Sequence, residues 1–306
     1  MRRLISLFSH APLGVLHPIG GLMGWLAYGL SPSYRRRLAL HTRQAGMGAW
    51  QRWQAVAQAG KMVAEVPRLW GRPQEPLGKR VQWRQAEALD QAVAEGQGLL
   101  LLTPHLGCFE VTAQAYAERH GATQPITALY RPAKQAWLAE LMLNARKRPG
   151  MVTSPATLAG VRQMLRALKS GHTVGLLPDQ VPPEGMGEWA PFFGRPAYTM
   201  TMAAKLVAQT GCAVVLLRGE RLGLWQRLRL GCEYLVHAQR VPPEVEALLR
   251  GGDAAQSAAA INRLMEDQIM QCPTQYLWGY NRYKGPRAEI LTSAKGGPAG
   301  TQGQGT

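Results

Sequence analysis

Apolar positions along the chain fall into two periods, and the change from one to the other marks most of its elements. Leu99–Leu102 is an unbroken apolar run between Gly98 and Pro104, the pattern of a strand covered on both faces. Ile126–Tyr130, residues 173–177 before Pro178, and residues 213–217 read as further strands. Residues 156–170 carry a helical stripe of Val161, Met164, Leu165 and Leu168, with Arg162, Arg166 and Lys169 on the other face and Gly171 as the stop. Residues 35–70 read as helix, with Trp50, Trp53, Ala57 and Met62 as the apolar stripe, before a loop at Gly71, Pro73, Pro76 and Gly78. Helices are also predicted over 83–95 (ended by Gly96 and Gly98), 111–120 (Gly121), 199–210 (Gly211) and 254–271 (Pro273). Residues 181–196 are rich in Gly and Pro and read as a loop, and 224–230 with 233–236 as an antiparallel pair. No repeat of 20–50 residues is visible. Strands alternating with helices give an α/β fold, a mixed and mostly parallel sheet flanked by helices.

The first 34 residues stand apart. Residues 4–34 contain no charged side chain; Arg2 and Arg3 precede them and Arg35, Arg36 and Arg37 come directly after. The stretch is long enough to cross a bilayer, which takes about 20 apolar residues, but Pro12, Pro18, His17 and several glycines interrupt it. A single span, a broken amphipathic segment in the interface and a soluble helical hairpin all fit; a cleaved signal peptide lacks a small-residue cleavage site. In a span, the triple arginine favours a cytoplasmic position for the rest of the chain. The chain therefore divides into an anchoring segment 1–34, a catalytic or binding domain 35–291, and a Gly/Ser/Thr/Gln-rich tail 292–306 expected to be disordered.

Composition narrows the partners. The 306 residues carry 35 Lys and Arg against 19 Asp and Glu, a net charge of +16, with 46% hydrophobic residues. The charge is diffuse, which argues against a nucleic-acid-binding tail and leaves a membrane surface, an acidic protein or a phosphorylated substrate. Residues 1–80 hold twelve Lys or Arg against two acids, Glu65 and Glu75, suited to anionic headgroups beside an apolar anchor. Cys108, Cys212, Cys232 and Cys272 are isolated and lack zinc spacing, so neither a disulfide scaffold nor a metal site is expected.

Thr103-Pro104-His105-Leu106-Gly107-Cys108-Phe109-Glu110 comes directly after the Leu99–Leu102 strand, where α/β sheets gather their chemistry. On one helix, a five-residue step leaves His105 and Glu110 about 140° apart; on one strand they face opposite sides. A turn at Pro104 and Gly107 is needed to unite them, with Glu110 in the first turn of the next helix. A carboxylate on one imidazole nitrogen fixes the tautomer and frees the other nitrogen to take a proton from a substrate hydroxyl. Cys108 is a competing nucleophile, three residues from His105. There is no G-x-S-x-G elbow, P-loop or dinucleotide fingerprint.

These residues carry a family likeness. His105-x-x-x-x-Glu110 is succeeded in order by Ala128-Leu129-Tyr130-Arg131-Pro132, Gly175-Leu176-Leu177-Pro178-Asp179-Gln180, Phe192-Phe193-Gly194, Thr210-Gly211 and Gln275-Tyr276-Leu277-Trp278. The chain resembles the bacterial lipid A secondary acyltransferases, the lauroyl/myristoyl branch of the lysophospholipid acyltransferase superfamily, over nearly its whole length. The resemblance implies a glycerolipid acyltransferase-like fold with an N-terminal membrane anchor. It further implies a catalytic domain at the cytoplasmic face of a bacterial inner membrane and transfer of an acyl chain to a lipid hydroxyl. No cofactor and no metal are implied: acyl carrier protein, or acyl-CoA, brings the acyl group as co-substrate, and a lipid A precursor accepts it. By the same resemblance His105 and Glu110 are the catalytic pair, and Arg131, Asp179, Gln180 and Arg195 are candidates for substrate binding. Gly279-Tyr280-Asn281-Arg282 departs from the family's usual His-Arg-Arg. A lysophospholipid, ornithine lipid or glycolipid acceptor fits the same motifs. A non-catalytic basic membrane-binding protein is the alternative from another class.

Overall fold

Residues 8–72, 74–130 and 135–287 are described in the computed structural model of the chain. A seven-stranded sheet is built from β1 (Val81–Arg84), β2 (Leu99–Leu102), β3 (Ile126–Tyr130), β4 (Met151–Pro155), β5 (Thr173–Leu176), β8 (Ala213–Arg221) and β9 (Tyr234–Arg240). Of these, β2, β3, β5, β8 and the start of β9 fall on predicted strands, whereas β1 and β4 do not. The order is β1-β9-β8-β2-β5-β3-β4. Five strands from β8 to β4 run parallel; β9 lies antiparallel to β8, and β1 runs parallel to β9. The sheet is thus mixed and mostly parallel, as the pattern predicts. β2 lies at its centre, every leucine buried, because helices cover both faces.

Those helices are α4 (Ala86–Ala94), α5 (Phe109–His120), α6 (Ala136–Ala145), α7 (Leu158–Lys169), α8 (Met202–Thr210), α10 (Pro243–Gly251) and α11 (Ala254–Gln271). Before them come α1 (Leu13–Leu30), α2 (Pro32–Gln44) and α3 (Ala49–Trp70). The helix predicted over 35–70 is therefore broken, at Gly46 with φ +71°, a left-handed position that glycine adopts without strain.

Three other expectations are corrected. Residues 83 and 84 belong to β1, and the helix begins only after Gln85, whose φ of 55° turns the chain. The loop predicted at 181–196 contains a hairpin, β6 (Gly187–Phe192) and β7 (Arg195–Met200). Phe193 and Gly194 both take positive φ in its two-residue turn, which matches the twist of paired strands. Residues 224–230 form helix α9 (Leu224–Leu230), closed by Gly231 in the left-handed region; β9 pairs with β8 instead. An alternating Leu-Trp-Gln-Arg-Leu-Arg-Leu run carries both periods, and a glycine at each end decides for the helix.

The N-terminal apolar stretch is docked on the domain. Gly20 and Gly24 of α1 meet Gly60 of α3 so closely that a Cβ on Gly60 would collide with the Gly20 carbonyl and the Gly24 backbone. Trp25 packs on Trp53, ring centroids 4.9 Å apart. The opposite face of α1, with Val15, Ile19, Leu22, Met23, Leu26 and Leu30, is exposed. Among the described residues α1 is the one helix long and apolar enough to cross a membrane. The tail 292–306 lies outside the described residues.

Candidate active site

Leu102 of β2 is paired directly with Leu176 of β5, so the segments that leave these two strands start side by side. His105 and Asp179 each come three residues later. Asp179 Oδ1 accepts from His105 Nδ1 at 2.7 Å, and its Oδ2 accepts from the His105 backbone N–H at 2.9 Å. An ionised carboxylate only accepts, so Nδ1 carries the proton and Nε2 of the neutral ring keeps its lone pair. The side-chain nitrogen of Gln180 donates to that lone pair at 3.1 Å. Asp179 is fully buried. Burial alone would push its carboxyl up, but the charge interaction and hydrogen bonds with His105 outweigh this and hold it below the usual carboxylate value. His105 itself is partly exposed and packs against Phe109, with ring centroids 4.9 Å apart and the rings tilted by 59°.

The turn between β2 and α5 is built as the sequence predicts, by Pro104 and Gly107. Gly107 has φ +58°, and a Cβ there would strike the Gly219 carbonyl of β8. Its N–H donates to Gln275 O, and Leu277 N–H donates to His105 O. The chain after α11 thus clamps the turn from one side and β8 from the other, where Cys108 N–H donates to Gly219 O at 2.8 Å. From the same segment Tyr280 Oη accepts from Val181 N–H at 3.0 Å, next to Gln180.

Glu110 stands in the first turn of α5, as predicted, but its carboxylate is not the one bonded to His105. It accepts from Arg146 Nη2 at 2.8 Å, while Asp179 holds Nδ1. The reason is topological: β2 and β5 are neighbours in register, so the loop after β5 reaches the imidazole, whereas the N-terminus of α5 turns its acid toward the end of α6. Cys108 is buried, and burial with the nearby Glu65 pushes its thiol well above the usual cysteine value, so it offers no thiolate. Arg195 is exposed, its guanidinium 4.8 Å from the Tyr283 ring centre, and makes no bond to His105 or Asp179. Arg131 lies outside the described residues. No group of three or more potential metal ligands occurs among the described residues.

Behind the turn is a buried cluster of which no local sequence pattern gives a sign. Arg221, at the end of β8, pairs bidentately with Glu65 of α3 at 2.7 Å for each contact and donates to the Gly107 carbonyl at 3.0 Å. His17 of α1 bonds the same Glu65 at 2.7 Å. One chain of contacts therefore runs from the N-terminal helix to a residue two positions from His105.

The arrangement is an imidazole with a protonated Nδ1 on a buried carboxylate and a basic Nε2, covered by one amide, at a partly open strand end. Chemically this arrangement can serve as a general base, and no activated nucleophile stands beside it among the described residues. Residues 52–285 match the family model described as bacterial lipid A biosynthesis acyltransferase. The chain is 27% identical over 297 residues to the lipid A biosynthesis palmitoleoyltransferase of Escherichia coli (strain K12), covering 92% of this chain and 89% of that one. It is 25% identical to the lipid A biosynthesis lauroyltransferase of the same organism, over 74% of this chain and 69% of the relative. Similarity to a lipid A biosynthesis acyltransferase of Haemophilus influenzae is 25%, over 74% and 68%.

Proposed function

Since the chain belongs to the bacterial lipid A biosynthesis acyltransferase family and is an O-acyltransferase, we propose that it transfers a fatty acyl group from acyl carrier protein to a hydroxyl of a lipid A precursor, with His105 as general base and Asp179 as its carboxylate partner. The observation that carries this reading is the oriented imidazole: Nδ1–H on Asp179, Nε2 aimed away from it. A thioester is already activated, so an oriented base and a stabilised oxyanion suffice.

The acceptor hydroxyl displaces the Gln180 amide from Nε2 and gives its proton to that nitrogen as its oxygen attacks the thioester carbonyl. Asp179 stabilises the imidazolium that results. The tetrahedral intermediate collapses by breaking its C–S bond; the departing thiolate takes the proton from Nε2, leaving an ester and a thiol. Cys108, the cap residue of α5, supplies no side-chain cap, so first-turn N–H groups of Phe109 and Glu110 are suited to receive the oxyanion. Arg146 neutralises Glu110, which would otherwise set a negative charge beside that oxyanion. Glu110 is thereby kept in the catalytic machinery, through Arg146 rather than as the partner of His105. The family likeness assigns Arg131, which lies outside the described residues, to an acceptor phosphate, a group that a guanidinium binds bidentately; Arg195 is a more peripheral candidate for the same group.

The exposed apolar face of α1 and the basic residues around it support a working position at a membrane surface, with the catalytic domain on the cytoplasmic side of a bacterial inner membrane. Docking of α1 along α3 supports an embedded interfacial helix over an isolated span. The test is incubation of the full chain with acyl carrier protein thioesters or acyl-CoA and a panel of lipid acceptors, read by mass spectrometry. Acyl addition to a lipid A precursor, lost in His105→Ala, is the expected result. Addition only to a lysophospholipid or ornithine lipid would replace the acceptor, and transfer that survives His105→Ala would refute the mechanism.

A further inference from the structure

Helix α9 is a short element with no buried residue. Trp225 is 81% exposed, Leu228 69% and Leu224 56%. At 100° per residue these three fall within one arc of about 100°. Arg227 and Arg229 flank that arc, one on each side, and residues 222–232 contain no acid. Among the described residues, this exposed tryptophan and two leucines between two arginines have no packing partner that would account for them.

Both ends of the α9 segment are pinned to the helices that carry the anchor face. On one side Arg221 is held by Glu65 of α3, which also bonds His17 of α1. On the other, Glu233 accepts from Arg68 Nη2 of α3 at 2.9 Å, and Arg68 also donates to the Ala11 carbonyl just before α1. Arg227 lies within electrostatic reach of His17 and Lys61. The segment is therefore mounted beside the first half of α1, whose outward face shows Val15, Ile19, Leu22 and Met23.

We infer that α9 is a second membrane-contacting element, which buries Trp225, Leu224 and Leu228 in the interface of an anionic bilayer while Arg227 and Arg229 meet lipid phosphates. The charge sign selects this occupant: an apolar arc bordered only by arginines fits a surface that is apolar below and anionic above. Tryptophan, amphipathic at its ring nitrogen, is suited to that boundary. With α1, the contact becomes two-point, which fixes the rotation of the domain on the bilayer and hence the direction in which the site faces. The inference rests on the membrane placement proposed above and adds to it the part that sets orientation.

The test uses the full chain and vesicles of phosphatidylcholine with or without phosphatidylglycerol, scored by co-sedimentation. Trp225→Ser with Leu228→Ser is expected to weaken partitioning at least about tenfold. Arg229→Gln is expected to reduce the gain from phosphatidylglycerol by about fivefold. Acyl transfer to detergent-dispersed acceptor stays at wild-type level in both, which shows that the fold is intact. Partitioning unchanged by the double substitution overturns the inference while leaving α1 as the anchor, and Leu22→Ser with Leu26→Ser then abolishes binding. A wild-type chain that binds neither vesicle overturns the membrane placement itself. If Trp225→Ser with Leu228→Ser instead dissolves a dimer of the wild-type chain without affecting vesicle binding, a second copy is the occupant and the lipid assignment falls.

Discussion

His105 and Asp179 stand at equal offsets beyond a directly opposed pair of strand ends, Leu102 and Leu176, and this register joins the imidazole to its carboxylate at 2.7 Å. Two segments 74 residues apart in sequence are brought together by parallel pairing alone. Asp179→Asn keeps the shape and removes the charge that fixes the tautomer and stabilises the imidazolium. Its kcat should fall about 10²–10⁴-fold, and combining it with His105→Ala should add little, because the two act as one unit. Steady-state transfer with each variant, alongside circular dichroism to confirm folding, checks this. Full activity in Asp179→Asn would remove Asp179 from the mechanism.

Much of this arrangement is legible in the sequence, and its failures have physical causes. The leucine run, its stop at Pro104 and the turn at Gly107 are local signals, and each is where the pattern predicts. Asp179 stands out only as part of a motif, because its pairing with His105 depends on strand order, which no local pattern contains. Glu110 is the closer acid in sequence and therefore the natural first choice, yet the start of α5 turns it toward Arg146. That arginine lies after a segment with few sequence signals. The buried Arg221–Glu65–His17 cluster joins residues from β8, α3 and α1, three elements distant in sequence, and only packing shows it.

Glu110 and Arg146 form a single ion pair, each side chain largely shielded, so Glu110→Gln and Arg146→Gln should produce similar losses of kcat, and the double variant should be no worse than either alone. The expected loss is about tenfold or more, read as kcat rather than KM. A large loss in Glu110→Gln with a silent Arg146→Gln would mean that the acid acts on another group.

Cys108 separates direct attack by a substrate hydroxyl from an acyl-enzyme. Its thiol is buried and held protonated by burial. Cys108→Ala should retain activity within a few-fold, with a stability loss of about 1 kcal/mol for the lost packing. Trapping with radiolabelled acyl donor should leave no acyl group on the protein after denaturation; a labelled Cys108 peptide would sink the general-base mechanism.

The crossing of α1 and α3 tolerates no side chain at Gly60, where a Cβ would meet backbone atoms of Gly20 and Gly24. Backbone cannot yield as a flexible side chain can. Gly60→Ala should therefore cost about 3 kcal/mol by overpacking, seen as a lowered Tm. Gly14→Ala, with open space around it on the same helix as Gly20 and Gly24, should cost nothing measurable and serves as the control.

Acid stability should report the buried pair that ties these helices to the turn carrying His105. Burial alone would raise the Glu65 carboxyl, but the charge of Arg221 and the hydrogen bonds from His17 and Arg221 outweigh it and bring it from 4.5 to about 2. A carboxyl lowered on folding stabilises the folded state fully above its unfolded value, and that contribution drains away as pH falls toward the folded value. Here the window runs from about pH 4.5 to 2, and the contribution at neutral pH is about 3 kcal/mol. Glu65→Gln should remove this titration, flattening the loss of stability across that window. It should also lower stability at neutral pH by about 3–5 kcal/mol, because Arg221 is left buried without its counter-charge. Denaturant unfolding at a series of pH values measures both effects. If Glu65→Gln kept the wild-type slope through the acid window, another carboxylate would have to carry the acid sensitivity of the fold.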